Sequence, residues 1–457
     1  MRRLLAATRS GSGKEVLGTT AWSVAGLFGA LLCGVVTARM LLPDDRGVLA
    51  ILITTVTIVS LVSGLGTNIS LRILLPRDPR VTMRGYAKTS LWLGALQLVF
   101  LILVSYFLLG AIDVHLGVNE VIFGVLPLGL AAFFANQTAD ALSATGYPSR
   151  ASMANSVGFG VTAAALIAFW LLGSGLLAAL LAYTAGFTTR SVIAISIIGK
   201  SVVLKTTEPR SGGTKELLRA GVGLMGMNLG QSITYRLDQY LLAALADTRA
   251  VGLYAVATTP ASLIQVVSNS VGQVAFRDSA QNQFGRKKLL TFVLGAAGVT
   301  AAYAAVMYLA APWLIPLVFG QEYVPAVDIV RVLALAEVAL SPYLVLSRAV
   351  AGAGHIKLSS LTGVVGMAAM SLFLLLFIPG SGGLGAAWAC VTGYATMSLF
   401  LICGILIIRR RRPSNTPRHR KASIGPPRVS GRPRRRRDPS ASPIASENSH
   451  KVTANNR

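Results

Sequence analysis

About twelve runs of apolar residues, each near the roughly 20 that cross a bilayer as a helix, leave this chain one class of fold. They lie near 17–42, 47–74, 87–110, 120–143, 152–172, 176–199, 217–245, 250–276, 289–318, 327–350, 358–378 and 384–408. Inside lipid the backbone finds no water, so every N–H and C=O must be satisfied by protein, and runs this long do so as helices. A hydrophobic fraction of 53% with only 13% charged residues is outside the soluble range. The expectation is an all-α polytopic membrane protein, with kinks or early ends at Pro312, Pro316 and Pro342.

The runs repeat. The stretch Leu41-Leu-Pro-Asp-Asp-Arg-Gly-Val-Leu-Ala-Ile51 returns around Ala246–Val256, with Gly47 over Gly252 at an offset of 205. The stretch from Ala144 to Ser152 returns around Gly352–Ser360, with Gly146 over Gly354 at an offset of 208. Two landmarks that nearly agree on one period imply duplication of a unit of about 200 residues, a common construction among transporters. The expected organisation is a six-helix lobe over 1–208, a second over 209–408, and a tail over 409–457. An even number of spans per repeat makes the lobes parallel, related by an axis along the membrane normal.

Lys and Arg gather in the N-terminus, the tail and the links 72–88, 200–219 and 277–288. The opposite links hold Asp113 and Glu120, or Glu322 and Asp328, or no charge. This places both termini in the cytoplasm of a cell membrane. No cleavable signal peptide is expected, since the first apolar run is too long for one. Cys33, Cys390 and Cys403 lie in apolar runs and are expected as small buried side chains. The tail carries fifteen Lys or Arg against Asp438 and Glu447. With almost nothing apolar to bury it is expected to be disordered, solvated or docked on anionic lipid, and without a recognition module it does not imply nucleic acid.

Enzyme chemistry has little to work with. No Gly-rich phosphate loop precedes a Lys-Ser/Thr, so ATP hydrolysis is not expected, and no cofactor is implied. The four histidines lie in links or the tail, which leaves no metal cluster and no histidine-based triad.

The seventh run is different. Asn228, Gln231, Tyr235 and Asp238 are spaced 3, 4 and 3 apart, one face of a continuous helix, with Arg236 beside them. Arg236 lies about ten residues from Asp247, roughly 15 Å deep. An arginine there costs about 2.5–3.5 kcal/mol even on the lenient insertion scale, so it faces a wet cavity or a partner such as Glu337. Gln265, Asn269 and Gln273 form an amide stripe along the eighth run, either interhelical bonds or a lining whose donors and acceptors suit sugar hydroxyls. The first half is thinner in polar groups: Asn68, Asn136, Gln137 and Asp140, with Arg39 expected to snorkel.

Several passages carry a resemblance. Tyr235-Arg-Leu-Asp-Gln-Tyr240 followed by Val251-Gly-Leu-Tyr254 resembles the seventh-to-eighth helix region of polysaccharide and lipid-linked oligosaccharide flippases. Those share a superfamily, the multidrug/oligosaccharidyl-lipid/polysaccharide exporters, with MATE drug exporters and lipid II flippases. Val318-Phe-Gly-Gln-Glu-Tyr323 is similar to the link after their ninth helix, and Ala351-Gly-Ala-Gly354 and Gly383-Leu-Gly-Ala-Ala-Trp388 to the regions around helices ten to twelve. The similarity runs from about 15 to 408. It implies two lobes facing each other in a V, alternating access, and a polyprenyl-pyrophosphate-linked glycan as cargo. Lipid II flippases use first-lobe arginines, whereas Leu31 and Cys33 occupy the positions paired with Arg236 and Asp238 in this chain. That favours an O-antigen, capsule or exopolysaccharide unit.

On this reading Arg236 attracts the pyrophosphate, and Asn228, Gln231, Tyr235, Gln265 and Asn269 hold the sugars. Asp238 and Glu337 carry a coupling H+ or Na+, or hold an arginine in place. The prenyl chain stays in membrane lipid, and a polysaccharide polymerase and glycosyltransferases are the implied partners. A MATE-like cation antiporter, which wants acidic groups dominating its cavity, and a membrane glycan polymerase, which wants a large outer loop, are the competing readings.

Overall fold

Each span satisfies its own backbone by forming helix, and the computed structural model of the chain has no strand among the described residues. Those residues are 11–75, 78, 81–111, 116–200, 213–234, 236–280 and 286–411. The first half contains α1 (Gly11–Met40), α2 (Pro43–Ser63), α3 (Thr67–Leu74), α4 (Met83–Ala111), α5 (Leu126–Ala144), α6 (Pro148–Leu171) and α7 (Leu176–Lys200). The second contains α8 (Gly213–Thr234), α9 (Leu237–Leu245), α10 (Thr248–Ala261), α11 (Gln265–Ala280), α12 (Arg286–Val318), α13 (Ala326–Gly352) and α14 (Ile356–Arg411). The tail from 412 onward, and the expectation of disorder there, lies outside the described residues.

Among the described residues, ten helical segments are long and apolar enough to cross a membrane. The last, Lys357–Ile407, spans 51 residues and breaks at Gly382 (φ 52°, ψ −127°). Its two arms run back along each other, with Gly366 against Met397 and Gly404 against Leu358, so it makes two crossings. The pair α8–α9 supplies the remaining one, interrupted after Thr234. The chain is therefore a multi-pass all-α membrane protein with about twelve crossings. The second run does not continue smoothly to 74: α2 stops at Ser63, and Leu65 and Gly66, both at positive φ, turn the chain into short α3. Helices α12 and α13 continue through their prolines, and α12 ends two residues after Pro316. Cys33 and Cys390 are buried as expected, but Cys403 is exposed on the helix surface.

The duplication appears as matching turns. After α5, Gly146 adopts φ +93° and Tyr147 N–H returns to Leu142 O at 3.2 Å; after α13, Gly354 adopts φ +87° and His355 N–H returns to Val350 O at 3.0 Å. All atoms correspond at the 208 offset, and a left-handed residue closing a helix this way favours glycine at both places. Within the first half α1, α5, α6 and α7 pack together; within the second, α13 is the central helix, touching α10, α11 and α12. The halves meet chiefly through α2 and α10, whose Leu49, Leu52 and Val56 share one core with Val251, Tyr254 and Val256. Lipid is as apolar as leucine, so this association rests on close packing and interhelical hydrogen bonds.

Candidate functional site

The seventh crossing is broken where its polar residues lie. Helix α8 ends at Thr234, Arg236 has non-helical angles (φ −128°, ψ −8°), and α9 restarts at Leu237. The single continuous face expected over 228–238 is thus not formed, because Arg236 departs from helical geometry. The side chains of Asn228 and Gln231, and all of Tyr235, lie outside the described residues. Arg236 is half-buried at the break. Asp238 is buried in the first turn of α9, where it accepts from Gln239 N–H at 2.8 Å and from the Tyr254 hydroxyl at 2.7 Å. A carboxylate there complements the unsatisfied N–H groups of a helix start. The Tyr254 hydroxyl also lies 3.2 Å from Cys390 Sγ on α14, tying three helices of the second half together.

Glu337, buried on α13, accepts from Gln265 Nε2 at 2.7 Å. Among the described residues no ion pair joins it to Arg236, so the expected clamp between those two is not made. Asn269 is held by Arg348: Nη1 donates to its backbone oxygen at 2.7 Å and Nη2 to Oδ1 at 2.9 Å. Gln265 and Asn269 therefore both serve as bonds between α11 and α13, while Gln273 is exposed.

At the face carrying Asp44, Asp45 and Glu322 the halves are joined by the repeat's own landmarks. Gly47 and Gly252 face each other so closely that a Cβ on Gly47 would stand 1.8 Å from Thr248 O, and one on Gly252 would stand 1.8 Å from Pro43 O. Thr54 donates to Gln239 Oε1 at 2.6 Å, and Thr55 and Tyr240 share a hydrogen bond of 2.7 Å. The Tyr323 hydroxyl donates to Leu41 O at 2.9 Å. Burial pushes that phenol up to about 12, so it remains a donor throughout the physiological range. Arg39 is exposed, and from there it donates to Val318 O at 2.9 Å and to Leu317 O, capping the carbonyl end of α12 in the other half. Toward the opposite, basic face, α8 leans on the first half: Gly221 packs on Leu65 and Gly66, and Ser70 Oγ donates to Leu217 O at 2.9 Å.

The first half carries an open cavity of about 550 Å³ on the basic side, lined by Ser23, Asn155, Arg72, Asp140 and Arg190 among others. Arg72 forms an ion pair with Asp140, whose other oxygen accepts from Asn68 Nδ2 at 2.6 Å. Arg190 reaches the same cavity with its Nε buried and unpartnered. The first half thus gathers charge at this cavity: Arg72, which the sequence places in the basic 72–88 link, is half exposed on α3 and reaches Asp140 on α5.

A family model described as polysaccharide biosynthesis protein matches residues 16–276, more than half of the chain. The chain belongs to that family. No curated protein matches it in sequence. Among solved structures it resembles an inward-facing MATE-family multidrug resistance transporter of the MOP superfamily, with TM-score 0.68 and 16% identity, over 87% of this chain and 99% of that one. It also resembles the lipid II flippase MurJ in an inward closed conformation, with TM-score 0.64 and 13% identity over 86% and 87%. A eukaryotic MATE transporter aligns with TM-score 0.54 and 16% identity over 87% and 96%. At these identities the likeness is one of fold.

For this family member, three functional candidates escape a reading of the sequence: Arg190, Arg348 and Arg46. Arg190 stands ten residues from Lys200, roughly 15 Å deep, the same depth argument that singles out Arg236. Arg348 lies so near the end of its run that it passes for a boundary residue. Arg46 sits in the first turn of α2 yet is buried, with its Nε unpartnered.

Proposed function

We propose that the chain carries a polyprenyl-pyrophosphate-linked oligosaccharide, an O-antigen, capsule or exopolysaccharide unit, across the cytoplasmic membrane by alternating access. The observation that carries this reading, beside the family match, is the joint at Gly47 and Gly252. Symmetry-related elements of two halves close one face through a narrow contact while a charged cavity lies toward the other. A rocking pair of lobes needs such a joint to open. With both termini cytoplasmic, the closed face is the outer one and the cavity lies on the side where lipid-linked glycans are assembled. The prenyl chain stays in lipid, the sugars meet the polar side chains of the second lobe, and Asp238 or Glu337 couples transport to H+ or Na+. A polymerase and glycosyltransferases act before and after it.

Arg236, half-buried at the broken crossing, is assigned to the pyrophosphate. In a strain whose glycan export depends on this protein, Arg236→Glu is expected to lower surface glycan at least about tenfold, since it turns an attraction into a repulsion in a poorly solvated site. Normal export by both Arg236→Ala and Arg236→Glu would remove that role. Intact export in a strain deleted for the protein, together with new drug sensitivity, would replace the flippase reading by cation efflux.

A further inference from the structure

The first-lobe cavity holds two arginines and one carboxylate, and the carboxylate is already used. Asp140 gives one oxygen to Arg72 and the other to Asn68, which leaves Arg190 with no hydrogen bond or ion pair among the described residues. Arg190 feels Asp140 only through space. The second lobe shows the contrast. Arg348, 208 residues beyond Asp140 and so its repeat counterpart, is satisfied by two bonds to Asn269. One lobe has a closed clamp, and the other an open site with one net positive charge.

A guanidinium whose Nε is buried without a partner is costly, and an anion that reaches it relieves the cost. Removing Asp140 would leave two cations facing each other across an empty cavity. The carboxylate therefore stabilises the empty state and, by the same attraction, weakens any anion that must take its place. A diphosphate has both the charge and the oxygens to engage two guanidinium forks at once.

We propose that Asp140 is a resident counter-anion, and that a diphosphate entering the cavity displaces it, pairing with Arg190 and drawing Arg72 away from Asp140. Ser23, Ser152 and Asn155 on the cavity wall supply neutral hydrogen bonds to the group beyond the phosphates. This rests on the flippase reading for the identity of the anion, and it gives the diphosphate a station in the first lobe in addition to the one assigned to Arg236. It makes the carboxylate a device for weak, reversible capture, which a carrier needs if it is to release its cargo.

The test is binding of inorganic pyrophosphate and of farnesyl diphosphate to the purified full chain in lipid nanodiscs. Asp140→Asn should tighten pyrophosphate binding at least about fivefold, because a competitor of the ligand is gone. Arg190→Gln should weaken it at least about tenfold, Arg190→Lys should retain most of it, and Asp140→Asn combined with Arg190→Gln should show no tightening. An unchanged or weaker affinity in Asp140→Asn overturns the proposal, as does an unchanged affinity in Arg190→Gln. If Asp140→Asn does not fold, Arg72→Gln decides: the freed carboxylate then turns to Arg190 and affinity must fall, and an unaltered value overturns the exchange. Tighter binding of farnesyl diphosphate than of pyrophosphate supports a lipid-linked source, and equal binding supports a free diphosphate. Exchange without glycan export would sink the flippase reading and leave this one standing; export with an unresponsive Asp140→Asn would do the reverse.

Discussion

Gly47→Ala is expected to lower export at least about thirtyfold. The added Cβ would stand 1.8 Å from Thr248 O and close to Gly252 N. Both obstacles are backbone, so no side chain can swing aside, and α2 and α10 must separate. Overpacking a joint of this kind costs about 2 kcal/mol, enough to shift the balance between closed and open states roughly thirtyfold. Gly252→Ala should behave alike, since its Cβ meets Pro43 O at 1.8 Å. Gly298→Ala, whose Cβ meets nothing within 4 Å, is the control and should export normally. A second readout separates a jammed joint from a misfolded chain. Thr54, buried beneath the contact and bonded to Gln239, replaced by cysteine should gain reactivity toward an impermeant maleimide, above the background of the three native cysteines, only in the Gly47→Ala protein. An unreactive Thr54→Cys with normal export would mean that the two glycines are packing and not a gate.

The architecture was legible because it rests on signals that survive in one dimension. A bilayer span needs a fixed length of apolar sequence; the glycines at 146 and 354 mark left-handed turns, and those at 47 and 252 a helix approach too close for a Cβ. The site was less legible, for three physical reasons. Helical spacing over Asn228–Asp238 is compatible with an unbroken helix, and nothing in the residue types announces a break at Arg236. Partners are a tertiary property: that Glu337 meets Gln265 and not Arg236, or that Asn269 meets Arg348, depends on how α11 packs on α13. Finally, hydropathy windows absorb single charges. Arg190 lies within an apolar run and Arg72 in the basic 72–88 link, and only the fold brings both to the cavity that Asp140 lines.

Tyr254→Phe should destabilise the second lobe more than any other loss of a single oxygen. The Tyr254 hydroxyl is the hydrogen-bond donor that reaches Asp238 from another helix; the second bond to that carboxylate comes from the next residue's own N–H. Without it one oxygen of a buried carboxylate is unpaired, a loss of about 2–3 kcal/mol that should appear as a lower unfolding temperature in detergent. Asp238→Ala should cost a similar amount, because it strips the first turn of α9 of its anionic partner and takes from the Tyr254 hydroxyl its carboxylate acceptor. The pair Tyr254→Phe with Asp238→Ala should then cost much less than the two added together, the signature of one shared interaction. Asp238→Asn separates structure from coupling. Its carboxamide oxygen can still accept from Tyr254, so most of the stability should return. If export also returns, Asp238 is the anchor that restarts the broken crossing beside Arg236. If export stays lost in a stable protein, and the loss no longer varies with the proton or sodium gradient, the carboxylate charge itself is part of the transport cycle.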